Sequence, residues 1–278
     1  MPAYSHTYSL AYLTSNTLAP PQAIQLASDL GFAFVGLRLL PNMAGGPQQF
    51  LIGRPDMLRE TIAVQKGTGI GVFDLEIIRI GPDFDARSYQ PLFEAGAALK
   101  ARAVLVAGDD TNEARLIQNY ARLCELMLPF GMTADIEFMP WTAVPDANSA
   151  LRIVNAAGRP SNAGILVDAL HVSRSTTSLD DIRAIPRELL HYAQICDAPT
   201  AQQLGRAFTV EEMIHTARCE RLLPGDGGID LKALFAALPP DLPVSVEVPH
   251  EKQVALLGQT EWARRSLAAS RALLEGTS

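Results

Sequence analysis

The sequence predicts an α/β chain closed into a single (β/α)8 barrel. Three observations carry this reading: eight short β-rich runs separated by longer helical stretches, a length of 278 residues, and the lack of a glycine-rich phosphate loop after the first run. The runs are Tyr8–Leu13, Phe34–Leu40, Gly71–Ile80, Ala103–Ala107, Thr133–Phe138, Gly164–Asp168, Tyr192–Cys196 and Val244–Val248. Alternating strands and helices imply a parallel sheet. Barrels of eight such units run to about 250 residues, so residues 1–278 are read as one domain. An open doubly wound sheet is the alternative. It is expected to carry a G-x-G-x-x-G turn after its first strand, and none stands there.

The intervals between the runs read as helices. Asn112–Leu128 sets Leu116, Tyr120, Leu123 and Met127 at helical spacing, and Pro129 marks its end. Gly31, Gly69 and Gly131 precede the second, third and fifth runs, where a helix C-cap and a short loop are expected. The interval from Asp197 to Pro243 is the longest. It holds an extra segment, Pro199–Glu220, ahead of the helix expected near Ile229–Ala237. In such barrels the long loops after strands usually shape the active site.

Composition narrows the function classes. Hydrophobic residues make up 48% and charged residues 19%, as in globular proteins. A net charge of −7 gives no electrostatic basis for nucleic-acid binding. Cys124, Cys196 and Cys219 match no zinc or redox spacing, so a reducing, cytoplasmic setting is expected. The opening MPAYSHTYSLAYL lacks a basic region and a long apolar run, so no leader is expected. No apolar stretch reaches the roughly 18 residues of a membrane span. Homo-oligomer formation is left open.

In a TIM-type barrel, side chains at the C-terminal ends of the strands face the active-site mouth. Here those ends place Glu137, Asp168, Gln194 and Glu247 inside apolar runs on four consecutive strands. An isolated buried carboxylate is costly unless it is paired or bound to a cation. Four such residues converging on one point are most simply compensated by one divalent metal ion. Three carboxylates and an amide suit Mg²⁺ or Mn²⁺, with Co²⁺ as a further occupant. Arg38 and Glu76 are candidate substrate contacts on the same rim, weighed against a structural ion pair between charged residues. Trp141 follows the fifth run and is read as a cover over the site, weighed against core packing. Asp109 and Asp110 are read as a helix N-cap ahead of Asn112, and His250 as a loop residue.

The strings I-E-F-M-P-W around Glu137, V-D-A-L-H with Asp168 and His171, Q-I-C-D-A-P with Gln194, R-L-L-P-G-D-G with Arg221 and S-V-E-V-P with Glu247 resemble the xylose-isomerase-like sugar phosphate isomerase/epimerase superfamily. The resemblance covers nearly the whole chain and is most specific from about residue 133 onward. It implies metal ligation by Glu137, Asp168, Gln194 and Glu247, and substrate contact by His171 and Arg221. It also implies that Glu137 and Glu247 act as the acid/base pair, with His171 orienting a hydroxyl or moving a proton in a lyase. Ketose 3-epimerases of the tagatose epimerase type usually carry His where this chain has Gln194. Hydroxypyruvate isomerase and bacterial 3-dehydroshikimate dehydratases carry Gln there. The expectation is therefore an isomerase or epimerase of a small polyhydroxy carbonyl compound, working through a metal-stabilised enediolate. A metal-dependent dehydratase and a non-catalytic binding barrel are the alternatives.

Overall fold

A computed structural model describes residues 6–40 and 51–276. Of the opening string just quoted, residues 1–5 lie outside the described residues. Eight parallel strands close into a barrel in chain order. They are β1 (Tyr8–Leu10), β2 (Phe34–Arg38), β3 (Gly71–Ile80), β4 (Ala103–Gly108), β5 (Thr133–Glu137), β6 (Ala163–Asp168), β7 (Ala193–Ile195) and β8 (Val244–Val246). Each falls within or against one of the eight runs. The first run stops early because the chain turns into a 3₁₀ segment, Tyr12–Ser15, from which Thr14 Oγ1 donates to Val246 O at 2.8 Å. The seam closes where Ser9 lies opposite Ser245. Beside it, the His6 amide donates to Glu275 Oε1 at 3.0 Å.

The helices wrap this barrel. The first five are α1 (Pro20–Leu30), α2 (Pro55–Thr68), α3 (Gln90–Ala98), α4 (Glu113–Met127) and α5 (Ala147–Ala156). Then follow α6 (Ala169–Arg174), α7 (Leu179–Arg183), α8 (Ala201–Leu204), α9 (Val210–Cys219), α10 (Leu231–Ala237), α11 (Glu251–Leu257) and α12 (Gln259–Glu275). Among the described residues, no helix is long and apolar enough to cross a membrane. Leu116, Tyr120, Leu123 and Met127 form the buried stripe of α4, as their spacing predicts. Gly31, Gly69 and Gly131 all take the left-handed conformation, which a side chain would strain.

The strands have two apolar faces, so β4 and β6 read as continuous buried runs. Outward residues such as Val104, Val106 and Ile165 belong to the large core beneath the helices. Phe73, Ala103, Leu105, Leu166 and Tyr192 form a separate small cluster. Alternation along β4 and β6 sets this cluster inside the barrel.

The cap of α4 corrects one reading. Asn112 caps the helix, accepting from the Arg115 amide at 3.1 Å. Asp110 is buried instead, accepting from the Asn112 amide at 2.9 Å and from Arg115 at 2.6 and 2.8 Å. Asp109 pairs with Arg79 at 2.8 Å. The shorter reach of Asn112, one residue before the helix, wins the cap, and Asp110 ties the loop down from below.

The Pro199–Glu220 segment folds into α8 and α9, each opened by a threonine capping box, Thr200 with Gln203 and Thr209 with Glu212. Two antiparallel bridges, Asp197 with Leu222 and Glu220 with His250, tie its end to the tips of β7 and β8. That anchoring sets Arg221 over the barrel mouth.

Candidate metal centre

Glu137 and Asp168 are the last residues of β5 and β6. Asp168 lies opposite Gln194, and Gln194 opposite Ser245. Asp168 also caps α6, its Oδ1 accepting from the His171 amide at 3.0 Å. This cap is the local reason that His171 turns back toward the strand ends: strand, cap and first helical turn leave it little choice. Glu247 stands just beyond β8 and is held on both sides. Its amide donates to Ile195 O at 3.1 Å, and the next amide, that of Val248, donates to Thr14 Oγ1 at 2.7 Å. Trp262 Nε1 donates to Val248 O at 2.7 Å.

The side chains meet in one buried knot. Donor atoms of Glu137, Asp168 and His171 all lie within 4.8 Å of one another. His171 Nε2 is 3.4 Å from Glu137 Oε1 and 4.0 Å from Asp168 Oδ1. Gln194 Nε2 donates to Glu247 Oε1 at 3.1 Å. The two halves are joined by Arg221, which reaches Asp168 Oδ2 at 2.5 Å and Glu247 Oε2 at 2.7 Å. Its Nε donates to Ala217 O at 3.0 Å, so the last turn of α9 holds the guanidinium in place.

Above the knot opens a cavity of about 250 Å³. Glu137, Glu247, His171, Arg221, Arg38, Glu76 and Trp141 all line it, while Asp168 and Gln194 lie fully buried beneath. Every residue expected from the sequence to hold metal or touch substrate thus lies at or under one pocket. Arg221 is the one whose surroundings differ most from a plain substrate contact: only 2% of it is exposed, and two carboxylates occupy it. Arg38 donates to Glu76 at 3.2 Å and stacks on Tyr12, 4.3 Å from the ring centre. Sequence reasoning missed Tyr12, which supports Arg38 from the turn after β1. Trp141 packs edge-on against His171 with ring centres 5.1 Å apart.

Carboxylates outnumber guanidinium groups around the pocket. Glu76, Glu137, Asp168 and Glu247 face two guanidinium groups, Arg38 and Arg221, leaving an excess of two formal negative charges. Burial pushes Glu137 well above the usual carboxylate range, and the charges of Asp168 and Glu247 add to it. Burial likewise raises Glu247, against the opposing pull of Arg221. Glu76 is pushed up to about 7 by burial, with Arg38 opposing. Burial would raise Asp168 too, but Arg221 and His171 outweigh it and hold its carboxyl low. Burial draws His171 down to about 4, so its ring is neutral near pH 7.

These residues fit a divalent ion. Glu137 Oε1, Gln194 Oε1 and His171 Nδ1 are buried without hydrogen-bond partners among the described residues. Native proteins rarely leave such atoms unpaired. The unpaired oxygens, a neutral imidazole and a twofold charge excess together match the needs of a metal such as Mg²⁺, Mn²⁺ or Zn²⁺.

Comparison with known proteins sets the fold in context. No curated protein matches the sequence. Among solved structures, the zinc-bound IolI protein superposes with a TM-score of 0.77 at 17% identity, covering 97% of this chain and 98% of its own. AsbF from Bacillus anthracis, a probable 3-DHS dehydratase of petrobactin synthesis, gives 0.72 at 14% identity, covering 95% and 98%. D-allulose 3-epimerase from Methylomonas sp., in complex with D-allulose, gives 0.68 at 15%, covering 97% and 99%. At these identities the likeness concerns the fold. The sequence itself matches a family model over residues 24–273, most of the barrel just described, and the chain belongs to the xylose isomerase-like TIM barrel family.

Proposed function

We propose that the chain is a divalent-metal-dependent isomerase or epimerase of a small sugar, sugar acid or hydroxy-keto acid. The observation that carries this reading is the convergence of Glu137 and Glu247 on one pocket, with Asp168, His171 and Gln194 gathered around them. Glu137, Asp168 and Glu247, with His171 or Gln194, would hold the ion. When bound, a divalent ion supplies Lewis-acid polarisation of the substrate's carbonyl and hydroxyl oxygens, which acidifies the neighbouring C–H bond.

The chain's own residues supply the rest. Glu137 and Glu247 stand three strands apart around the mouth, so one carboxylate removes a proton from carbon and the other returns one. Return to the neighbouring carbon gives isomerisation, and return to the opposite face of the same carbon gives epimerisation. His171, neutral and braced by Trp141, orients a substrate hydroxyl. Arg38, held flat on Tyr12, takes a distal oxygen. Arg221 fixes Asp168 and Glu247 relative to one another. The buried walls exclude water from the enediolate while it exists.

The test is proton exchange. Metal-loaded protein incubated in D2O with a panel of ketoses and keto acids is expected to place deuterium beside the carbonyl. A panel without exchange, with metal demonstrably bound, sinks the proposal. The dehydratase alternative rests on Gln194 and on the Pro199–Glu220 segment. It predicts new ultraviolet absorbance from 3-dehydroshikimate instead. Absence of any metal binding would favour a barrel that binds without turnover.

A further inference from the structure

A second and larger cavity, of about 550 Å³, opens on the same rim behind the metal pocket. The two cavities share a wall. Thr216 and Glu220 face the rear cavity, while Ala217 and Arg218 between them face the metal pocket. The elements that build one also build the other. Arg174 lines the rear cavity three residues after His171, and His250 does so three residues after Glu247.

Arg174 is the unusual member. Its guanidinium lies flat on Phe208, 3.6 Å from the ring centre. Its Nε and Nη2 are shielded from solvent and find no acceptor among the described residues, and Nη1 makes one long bond of 3.4 Å to Ser173. Burial draws its pKa down to about 10. The acidic residues lining the cavity are committed elsewhere. Glu212 gives both oxygens to Arg206, at 2.6 and 2.9 Å. Glu220 takes Lys252 at 2.6 Å and His215 at 3.3 Å. His250 Nδ1 is a further buried atom without a partner. A partly desolvated cation with no anion beside it is unfavourable, and a planar guanidinium is suited to bidentate recognition of a carboxylate. Leu204, Phe208 and Leu222 give the lining an apolar part, alongside the polar Thr216, Lys252 and Gln253.

We propose that this rear cavity is a second ligand site, for a small organic acid whose carboxylate pairs with Arg174 and whose apolar body lies among Phe208, Leu204 and Leu222. The proposal stands apart from the chemistry of the metal pocket and does not require turnover. The shared wall gives it a consequence: Ala217, which holds Arg221 through its carbonyl, sits in the turn of α9 that the ligand would touch.

The probe is benzoate, titrated into the metal-loaded full chain and followed by ligand-observed NMR and calorimetry, with inorganic phosphate and cyclohexanol in parallel. Saturable benzoate binding is expected, with phosphate and cyclohexanol each at least tenfold weaker. Arg174→Gln and Phe208→Ala are each expected to weaken benzoate at least tenfold, the second serving should the first fail to fold. Glu247→Gln, which damages the metal pocket, is expected to leave benzoate affinity within twofold. Loss of benzoate binding in Glu247→Gln would place the acid at the metal and overturn the proposal. Equal binding of phosphate, equal binding of cyclohexanol, or no saturable benzoate binding would overturn it too.

Discussion

Two carboxylates on one strand received opposite treatments. Asp135 and Glu137 lie two residues apart on β5, on the same inward face, and both are buried. Asp135, toward the bottom of the barrel, is fully partnered: Thr133 Oγ1 donates to it at 2.6 Å and His191 Nδ1 meets it at 2.5 Å. Gly164 makes room, since a Cβ there would run into both Asp135 and His191. Glu137, toward the mouth, has an oxygen without a hydrogen bond, three acidic neighbours in Asp168, Glu247 and Glu76, and a cavity in front of it. The fold thus satisfies Asp135 internally and leaves an oxygen of Glu137 without a hydrogen bond beside the cavity.

The comparison breaks most sharply by exchanging the residues' consequences. Glu137→Gln is expected to lower kcat by about 10²–10⁴-fold, the usual weight of a positioned acid or base, with little change in unfolding midpoint. Asp135→Ala is expected to do the reverse. It strands His191 and should cost about 3–5 kcal/mol in urea unfolding while the folded fraction keeps its activity. If Asp135→Ala were instead stable and inactive, the division between bottom and mouth would collapse. Gly164→Ala probes the same pair more gently. Overpacking of this kind costs about 1–3 kcal/mol, read as a lowered Tm.

The smallest effect is a pH dependence. Burial alone would lower the pKa of His191, but the hydrogen bond and charge of Asp135 outweigh it and raise it above the ordinary value. A raised folded pKa means that the fold favours the protonated ring. Its stabilisation is whole below about pH 6.5, the unfolded value, and is lost as pH rises through the higher folded value. The stability gap between the parent chain and His191→Gln should therefore narrow on going from pH 6 to alkaline pH. A constant gap would show that the pair is not titrating.

Much of this was legible in the sequence. Eight apolar runs marked eight strands because parallel strands buried on both faces read that way. Glu137, Asp168 and Glu247 stood out because a carboxylate inside such a run needs a reason. Asp135 stood in the same run as Glu137, yet its partner His191 is 56 residues away and outside any strand, so no spacing revealed the difference. Arg221 read as a substrate contact because the resemblance of its string R-L-L-P-G-D-G implies that role. Only the two bridges to the tips of β7 and β8 turn its loop inward and bury the guanidinium between Asp168 and Glu247. The rear cavity draws on Arg174, on the segment carrying Phe208 and on His250, and contact among distant stretches is what a linear pattern cannot display.

The seam of the barrel carries one more consequence. His6 and Glu275 touch across it, β1 starts there, and α12 ends there, while the mouth lies at the opposite ends of the strands. The whole length of the strands thus stands between that contact and the pocket. A change at His6 or Glu275 is expected to leave the distances around Glu137 and Glu247 as they are.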